Sequence, residues 1–316
     1  MPSVNTVLGA IHPEEMGITA MHAQVLSACP GWVSESEWWR YVPRLFGKWD
    51  KDLADYKELG GGSVVASLGV GMKHDMEVYR LLSRATGTHI IGSTGFWGER
   101  GASTPLPLRD IDSYTEFFFD ELTQGIGKTT VRAGVIEIRI PQHQMTEVDE
   151  ITLRAAARVV KRTGCCLMIH GIFTARRQVD ILMEEGTDPS RIVIGDCDDA
   201  RGLDLERDKE FCRKGFHVGY THIGSEPTWM VAPHVLSDFI RADLVKAMVE
   251  AGFIDQLIIS AGPDSSVSTG GQWATPYSSV TVGTLLHFIP KLYRVFLTDD
   301  DIDKILIGNP KRLLPF

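Results

Sequence analysis

Short apolar runs bounded by Gly, Asp or Asn alternate along this chain with longer stretches whose apolar residues recur at three- and four-residue spacing. That alternation predicts a parallel sheet flanked by helices. Eight runs qualify as strands: Ile18 to His22, Ser63 to Leu68, His89 to Thr94, Gly134 to Ile140, Cys166 to His170, Arg191 to Asp196, His217 to His222 and Gln256 to Ala261. Segments such as Ile151 to Arg162 and Val235 to Ala251 read as helices with one buried face. Eight strand–helix units closing on themselves make an α/β fold of the (β/α)8 TIM-barrel type, and 316 residues suit one such domain over 1–316. Thr146, opening Thr-Glu-Val-Asp, reads as a helix cap, and Asp188-Pro189-Ser190 as the turn into the sixth strand. Gly60-Gly61-Gly62 lacks the Lys-Ser/Thr of a phosphate loop and precedes a strand, so it reads as a turn.

A formal charge of -9 with a pI near 5.6 leaves no basic patch for nucleic acid or an anionic membrane. No stretch has the roughly 18 consecutive apolar residues of a membrane span, and Met1-Pro-Ser-Val-Asn5 lacks the regions of a signal peptide, which places the protein in the cytoplasm. Five cysteines without a CxxC pair argue against a disulfide framework; Cys197, beside acids at a strand end, reads as a packed, inert thiol.

In the fourth run, Glu137 and Arg139 lie two residues apart in an otherwise apolar strand and so share a face. Strands of a parallel sheet are covered on both sides, so such charges either pair or belong to a site. Other strand ends carry His22 and Gln24, His170, Asp196, Tyr220 and His222. A barrel enzyme assembles its site from the carboxyl ends of separate strands, which is the pattern these residues make. Trp97 and the loops Gly98 to Leu108 and Gly262 to Pro276 leave strand ends and are candidates to cover a substrate, with Trp229 or Trp273 as further aromatic contacts.

On several segments the chain resembles the phosphotriesterase family of the amidohydrolase superfamily. These are Thr6-Val-Leu-Gly-Ala-Ile-His-Pro-Glu-Glu-Met-Gly17, Arg132-Ala-Gly-Val-Ile136, Pro189-Ser-Arg-Ile-Val-Ile-Gly195, Asp198-Asp199 and Gly308-Asn-Pro-Lys-Arg312. The resemblance implies a two-metal centre built from a His-x-His pair, a bridging carboxylated Lys or Glu, two further His and an Asp. His22, Glu137 and His170 match that pattern, whereas Gln24, Asp196 and Gly262 stand where the family has His, His and Asp. It further implies that His222, backed by the acid Asp199, moves protons and that the chain forms a homodimer. Asp264, two residues beyond Gly262, is a separate candidate to reach in from the loop after the eighth strand.

Three departures from six positions leave the cofactor open. One divalent ion, zinc or manganese, on Glu137, His170 and Asp196 is one reading; no metal at all, with Arg139 neutralising the acids, is the other. The first makes the protein a small-molecule hydrolase of ester or lactone bonds, with His22, Arg139, His222 and Asp199 as catalytic groups and Gln24, Trp97, Tyr220 and Asp264 lining the substrate. The second makes it a metal-free lyase, decarboxylase or isomerase in which Arg139 anchors an acidic group. A third reading is a noncatalytic barrel whose Glu137, Arg139 and Asp196 form an inert ion-pair cluster.

Overall fold

The structure is a computed structural model that describes residues 2–23, 25, 38–67, 75–97, 110–140, 143–224, 236–261 and 280–316. Its centre is an eight-stranded parallel sheet: β3 (Ile18–Ala23), β4 (Gly61–Ala66), β5 (His89–Trp97), β6 (Val135–Arg139), β7 (Cys166–His170), β8 (Ile192–Ile194), β9 (His217–Ile223) and β10 (Leu257–Ala261), each beside its sequence neighbour. These coincide with the eight expected runs. Ser260 joins the two ends of the sheet, its hydroxyl accepting from the His22 N–H at 2.8 Å and donating to the His22 carbonyl at 3.0 Å. The sheet is therefore a nearly closed (β/α)8 barrel.

Alternation along the strands sorts side chains into two layers. Met21, Val65, Ile91, Val135, Met168, Val193 and Ile258 fill the barrel, while Ile90, Ile136, Ile138, Leu167, Ile169, Ile194 and Ile259 face outward. The outer shell includes α1 (Trp38–Glu58), α2 (Met76–Thr86), α3 (Ile111–Thr123), α4 (Glu147–Thr163), α5 (Ala175–Glu184), α6 (Leu205–Arg213) and α7 (Asp238–Glu250). The Thr146 cap is borne out: its hydroxyl accepts from the Asp149 N–H while Asp149 accepts from the Thr146 N–H, a reciprocal box at the start of α4.

A hairpin of β1 (Val4–Thr6) and β2 (Gly9–Ile11) precedes the barrel; strands of three residues are too short to show a period in sequence. Its Val4 joins Leu313 and Leu314 of the C-terminal segment against the barrel interior, and Arg191 donates to the carbonyls of Arg312, Leu313 and Pro315. Both chain ends thus pack where the strands begin. The glycine run is not wholly a turn, because Gly61 and Gly62 belong to β4. A Cβ on Gly61 would lie 2.4 Å from the Tyr56 ring and one on Gly62 would lie 2.0 Å from the Met16 carbonyl oxygen, so close packing demands glycine there.

Two strands carry an extra residue at the end that matters. Ala20 pairs with Val64 and Ala23 with Ala66, so three steps on β3 match two on β4. Likewise Ile259 pairs with Tyr220 and Ala261 with Ile223, which puts the extra residue on β9. A bulge breaks strict alternation and lets consecutive residues share one face. Met21 and His22 both turn inward as a result, and so do Thr221 and His222.

Candidate functional site

At the carboxyl end of the barrel, the His22 Nε2 lies 3.8 Å from Glu137 Oε1 and the His170 Nε2 lies 3.3 Å from the same oxygen. Each of the three residues offers a ligand atom within 4.8 Å of the others, and all are buried. Among the described residues, His22 Nε2, Glu137 Oε1 and His170 Nε2 have no hydrogen-bond partner. Buried polar atoms without partners are costly and uncommon, so three of them meeting at one point, one from each residue, fit a bound cation. Two imidazoles and one carboxylate suit zinc, manganese or a similar divalent ion.

The electrostatics agree. Burial, reinforced by the charges of His170 and Arg139, holds the His22 imidazole well below its ordinary pKa, so it is neutral with a lone pair to give. Burial pushes the Glu137 carboxyl up, against the pull of His170 and Arg139; a bound cation would reverse that direction.

Asp196 does not join these ligands, which corrects the expected Glu137, His170 and Asp196 set. Its Oδ1 accepts from His170 Nδ1 at 3.0 Å and from the Thr221 hydroxyl at 3.1 Å, while Oδ2 forms an ion pair with Arg139 at 3.6 Å. Burial would raise the Asp196 pKa, but Arg139 and His170 outweigh it and hold the carboxyl well below the usual range. An ionised acceptor on Nδ1 fixes the tautomer of His170, leaving its Nε2 lone pair toward Glu137. Asp196 adopts φ 59°, in the left-handed region that Asp tolerates better than most residues. The Thr221 hydroxyl secures that bend by accepting from the Asp196 N–H at 3.0 Å.

His222 faces the same cleft, its Nε2 3.8 Å from Asp196 Oδ1. The acid behind it is Asp198, not the expected Asp199. Asp198 Oδ1 accepts from His222 Nδ1 at 2.9 Å, whereas Asp199 turns outward to grip Arg201 through Nε at 3.0 Å and a second guanidinium nitrogen at 2.6 Å. Burial pulls the His222 imidazole down, yet the charge and hydrogen bond of Asp198 leave its pKa above the ordinary value. Asp198 is in turn held by Arg241 Nε at 2.8 Å, and Arg241 also bonds Asp238 at 2.9 Å. Sequence reading missed Asp198, Thr221, Arg241 and Ser260. The bulge in β9, which brings Thr221 and His222 over Asp198, leaves no trace in hydropathy.

Tyr220 also departs from expectation. It is fully buried in the outer layer, its hydroxyl donating to Asp208 at 3.4 Å, because it occupies an outward position before the bulge; it cannot line a substrate. Gln24, Asp264, Gly262, Trp229, Trp273, the side chain of Trp97 and the two candidate covering loops lie outside the described residues.

A family model, the phosphotriesterase family, matches residues 2–314. This chain belongs to the phosphotriesterase family. Among curated relatives, N-acetyltaurine hydrolases of Danio rerio and Homo sapiens are each 25% identical to it, over 99% of this chain and 98% of theirs. Among solved structures, a double mutant of the organophosphorus hydrolase from Deinococcus radiodurans superposes with a TM-score of 0.85 at 25% identity, covering 99% of this chain and 97% of that one. A lactonase template engineered for organophosphate hydrolysis gives the same TM-score at 24% identity and 99% coverage of both chains, which bears on the fold. No helix among the described residues is long and apolar enough to cross a membrane.

Proposed function

We propose that this family member is a hydrolase of an acyl bond, in an ester, lactone or N-acyl amide, that uses one divalent ion held by His22, Glu137 and His170. The observation that carries the reading is the meeting of three buried ligand atoms, His22 Nε2, Glu137 Oε1 and His170 Nε2, none with a hydrogen-bond partner among the described residues. Names of relatives that cleave an N-acyl bond support the reaction class. When bound, a divalent ion there supplies Lewis acidity toward a carbonyl and lowers the pKa of water.

The chain's own groups divide the remaining work. His170 is locked in one orientation by Asp196, and Asp196 by Thr221 and Arg139. His222, fixed at Nδ1 by Asp198, keeps Nε2 toward the cleft as the atom that holds or releases a proton. Hydrolysis places the water hydroxyl on the acyl carbon, breaks the bond to the leaving nitrogen or oxygen, and returns a proton to that atom; His222 is the side chain placed to carry it.

The test is elemental analysis of the purified protein and of Glu137→Gln, followed by assay of metal-loaded protein on panels of esters, lactones and N-acyl amides. About one zinc or manganese per chain, lost in the variant together with hydrolysis, is the expected result. Hydrolysis that persists undiminished in a metal-free Glu137→Gln protein would overturn the reading. Metal-free protein that instead converts acidic substrates by elimination would favour the lyase reading centred on Arg139.

A further inference from the structure

Among the described residues eleven large apolar side chains are exposed, and five of them, Phe239, Ile240, Leu286, Tyr293 and Phe296, belong to α7 and to the segment 284–296. The two elements lie side by side: the Arg294 guanidinium stands 5.1 Å from the centre of the Phe239 ring, and Lys246 Nζ stands 5.6 Å from the centre of the Phe296 ring. The five include every exposed phenylalanine or tyrosine among the described residues. Apolar side chains scattered singly over a surface need no explanation, but a cluster of them marks a contact.

Within the cluster, Phe296 is 85% exposed and adopts φ 69° just beyond the helix Ile289–Arg294. Its N–H donates to the Tyr293 carbonyl at 2.9 Å and the Leu297 N–H donates to the Leu292 carbonyl at 3.2 Å, the paired bonds that close a helix on a left-handed residue. Glycine takes that position without strain, and phenylalanine does not. A side chain that strains its own backbone and stays almost wholly in water adds little to folding, so its use lies outside the chain.

The charges around Phe296 have both signs. Arg294, two residues before it, and Asp300 and Asp303, four and seven residues after it, are exposed and make no ion pair among the described residues. Tyr293 links the two groups, its hydroxyl donating to Asp299 Oδ1 at 2.6 Å. An anionic membrane or an acidic peptide on this face would meet the carboxylates, and a basic peptide would meet Arg294 and Lys246. A second copy, turned about a two-fold axis beside Phe296, meets neither conflict. Arg294 of one protomer then faces Asp300 and Asp303 of its partner, and symmetry repeats the pairing. Over the rest of the surface a chain of formal charge -9 repels its own copy, which confines pairing to a face that holds cations and acids together.

We propose that this chain forms an isologous dimer through α7, the segment 284–296 and the helix Asp299–Asp303, with the two Phe296 rings packed on each other at the axis. The inference stands apart from the hydrolase reading, because none of these side chains belongs to the candidate site.

Sedimentation velocity of the full chain tests it. Wild type should pass from monomer to dimer with a dissociation constant on the order of 10 µM, as suits a small interface with few anchors. Phe296→Gly should weaken pairing by about 30-fold or more, while the thermal midpoint of the dilute protein stays unchanged or rises because glycine relieves the strain. Arg294→Asp alone, and Asp300→Arg with Asp303→Arg in one chain, should each be monomeric with an unchanged thermal midpoint. An equimolar mixture of those two proteins should form a heterodimer, because a two-fold contact then sets opposite charges together in both pairs. Wild type that stays monomeric at about 100 µM, a dimer that Phe296→Gly leaves intact, or a mixture that stays monomeric would each overturn the proposal. Phe296-dependent cosedimentation with phosphatidylserine vesicles, by a chain that stays monomeric, would also overturn it and give the face to a membrane.

Discussion

Asp198→Asn isolates what the buried acid behind His222 contributes. Asp198 is fully buried and accepts four hydrogen bonds: Oδ1 from the Thr221 N–H at 3.0 Å and from His222 Nδ1 at 2.9 Å, Oδ2 from the His222 N–H at 3.1 Å and from Arg241 Nε at 2.8 Å. An amide has one oxygen, so its NH2 group must face either the Thr221 and His222 Nδ1 pair or the His222 N–H and Arg241 pair. Removing one partner of a buried ion pair costs about 3–5 kcal/mol when the other charge is left alone. Arg241 keeps Asp238 and the Leu236 carbonyl, so the lower end applies, about 3 kcal/mol, or about 6 °C in the thermal midpoint for a chain of this size. The His222 pKa should fall, because burial remains while the groups that raise it are lost. Rates should drop about 100-fold or more, as expected when a positioned proton carrier loses its tautomer. Isotope-edited NMR titration of histidine, assigned with His222→Gln, reads the pKa without any substrate, and calorimetry reads the stability. An unmoved His222 titration with an unchanged pH–rate profile would refute the claim that Asp198 governs this imidazole.

Zinc or manganese should raise the thermal midpoint of the chelator-stripped protein, by about 2–3 kcal/mol of linked stability at 100 times the dissociation constant, and His170→Ala should abolish the rise in differential scanning fluorimetry. Gly195→Ala should weaken metal affinity about 10- to 100-fold by competition titration, because a Cβ there would lie 2.5 Å from His170 ring atoms and displace a ligand that Asp196 orients. Ser260→Ala strands the buried N–H and carbonyl of His22 at the barrel seam and should cost about 2–4 kcal/mol in urea unfolding. Burial, with Arg312 and Arg191 nearby, pushes His217 down to about 4, below its unfolded value near 6.5. The unfolded chain then binds the extra proton, so this stability is complete above pH 6.5 and is lost as pH falls toward 4, by about 3 kcal/mol. Asp208, pushed up to about 6 by burial, acts in the opposite sense between pH 6 and 4, so His217→Leu should flatten or invert the slope of unfolding free energy over that range.

The eight strands were legible because each buries side chains on both faces, which leaves a continuous apolar run bounded by turn residues. What stayed hidden depended on contacts far apart in sequence. Gly61 and Gly62 look like a turn until Tyr56 and Met16 are seen to occupy the space their side chains would need. Period-two reasoning correctly put Glu137 and Arg139 on one face, since β6 is regular throughout its pairing with β5 and β7. The same reasoning gives no account of how consecutive residues Thr221 and His222 can both face inward, because that depends on a bulge whose register is set by the neighbouring strand. The acid behind His222 was misplaced by one residue for a related reason. Asp196, Asp198 and Asp199 crowd a sharp bend, and only the backbone's left-handed step at Asp196 decides which carboxylate turns in.

The changed residues of the site form a connected set when charge is followed through it. The family resemblance supplies a sixth-strand imidazole where this chain has Asp196, a change that adds a negative charge to a buried cleft. Uncompensated, that carboxylate would carry a desolvation cost of several kcal/mol. Arg139 offsets it from the adjacent layer, and the carboxylate becomes a brace for His170 in place of a ligand. His22, expected to act as a proton carrier, is held neutral, with Nε2 3.8 Å from Glu137 and without a hydrogen-bond partner among the described residues. On the proposed hydrolase reading, proton handling falls to His222, whose partner Asp198 is anchored by Arg241 on α7. The Asp196 and Arg139 pair therefore braces the proposed ligand trio through His170, while the raised His222 imidazole rests chiefly on Asp198 and its anchor Arg241.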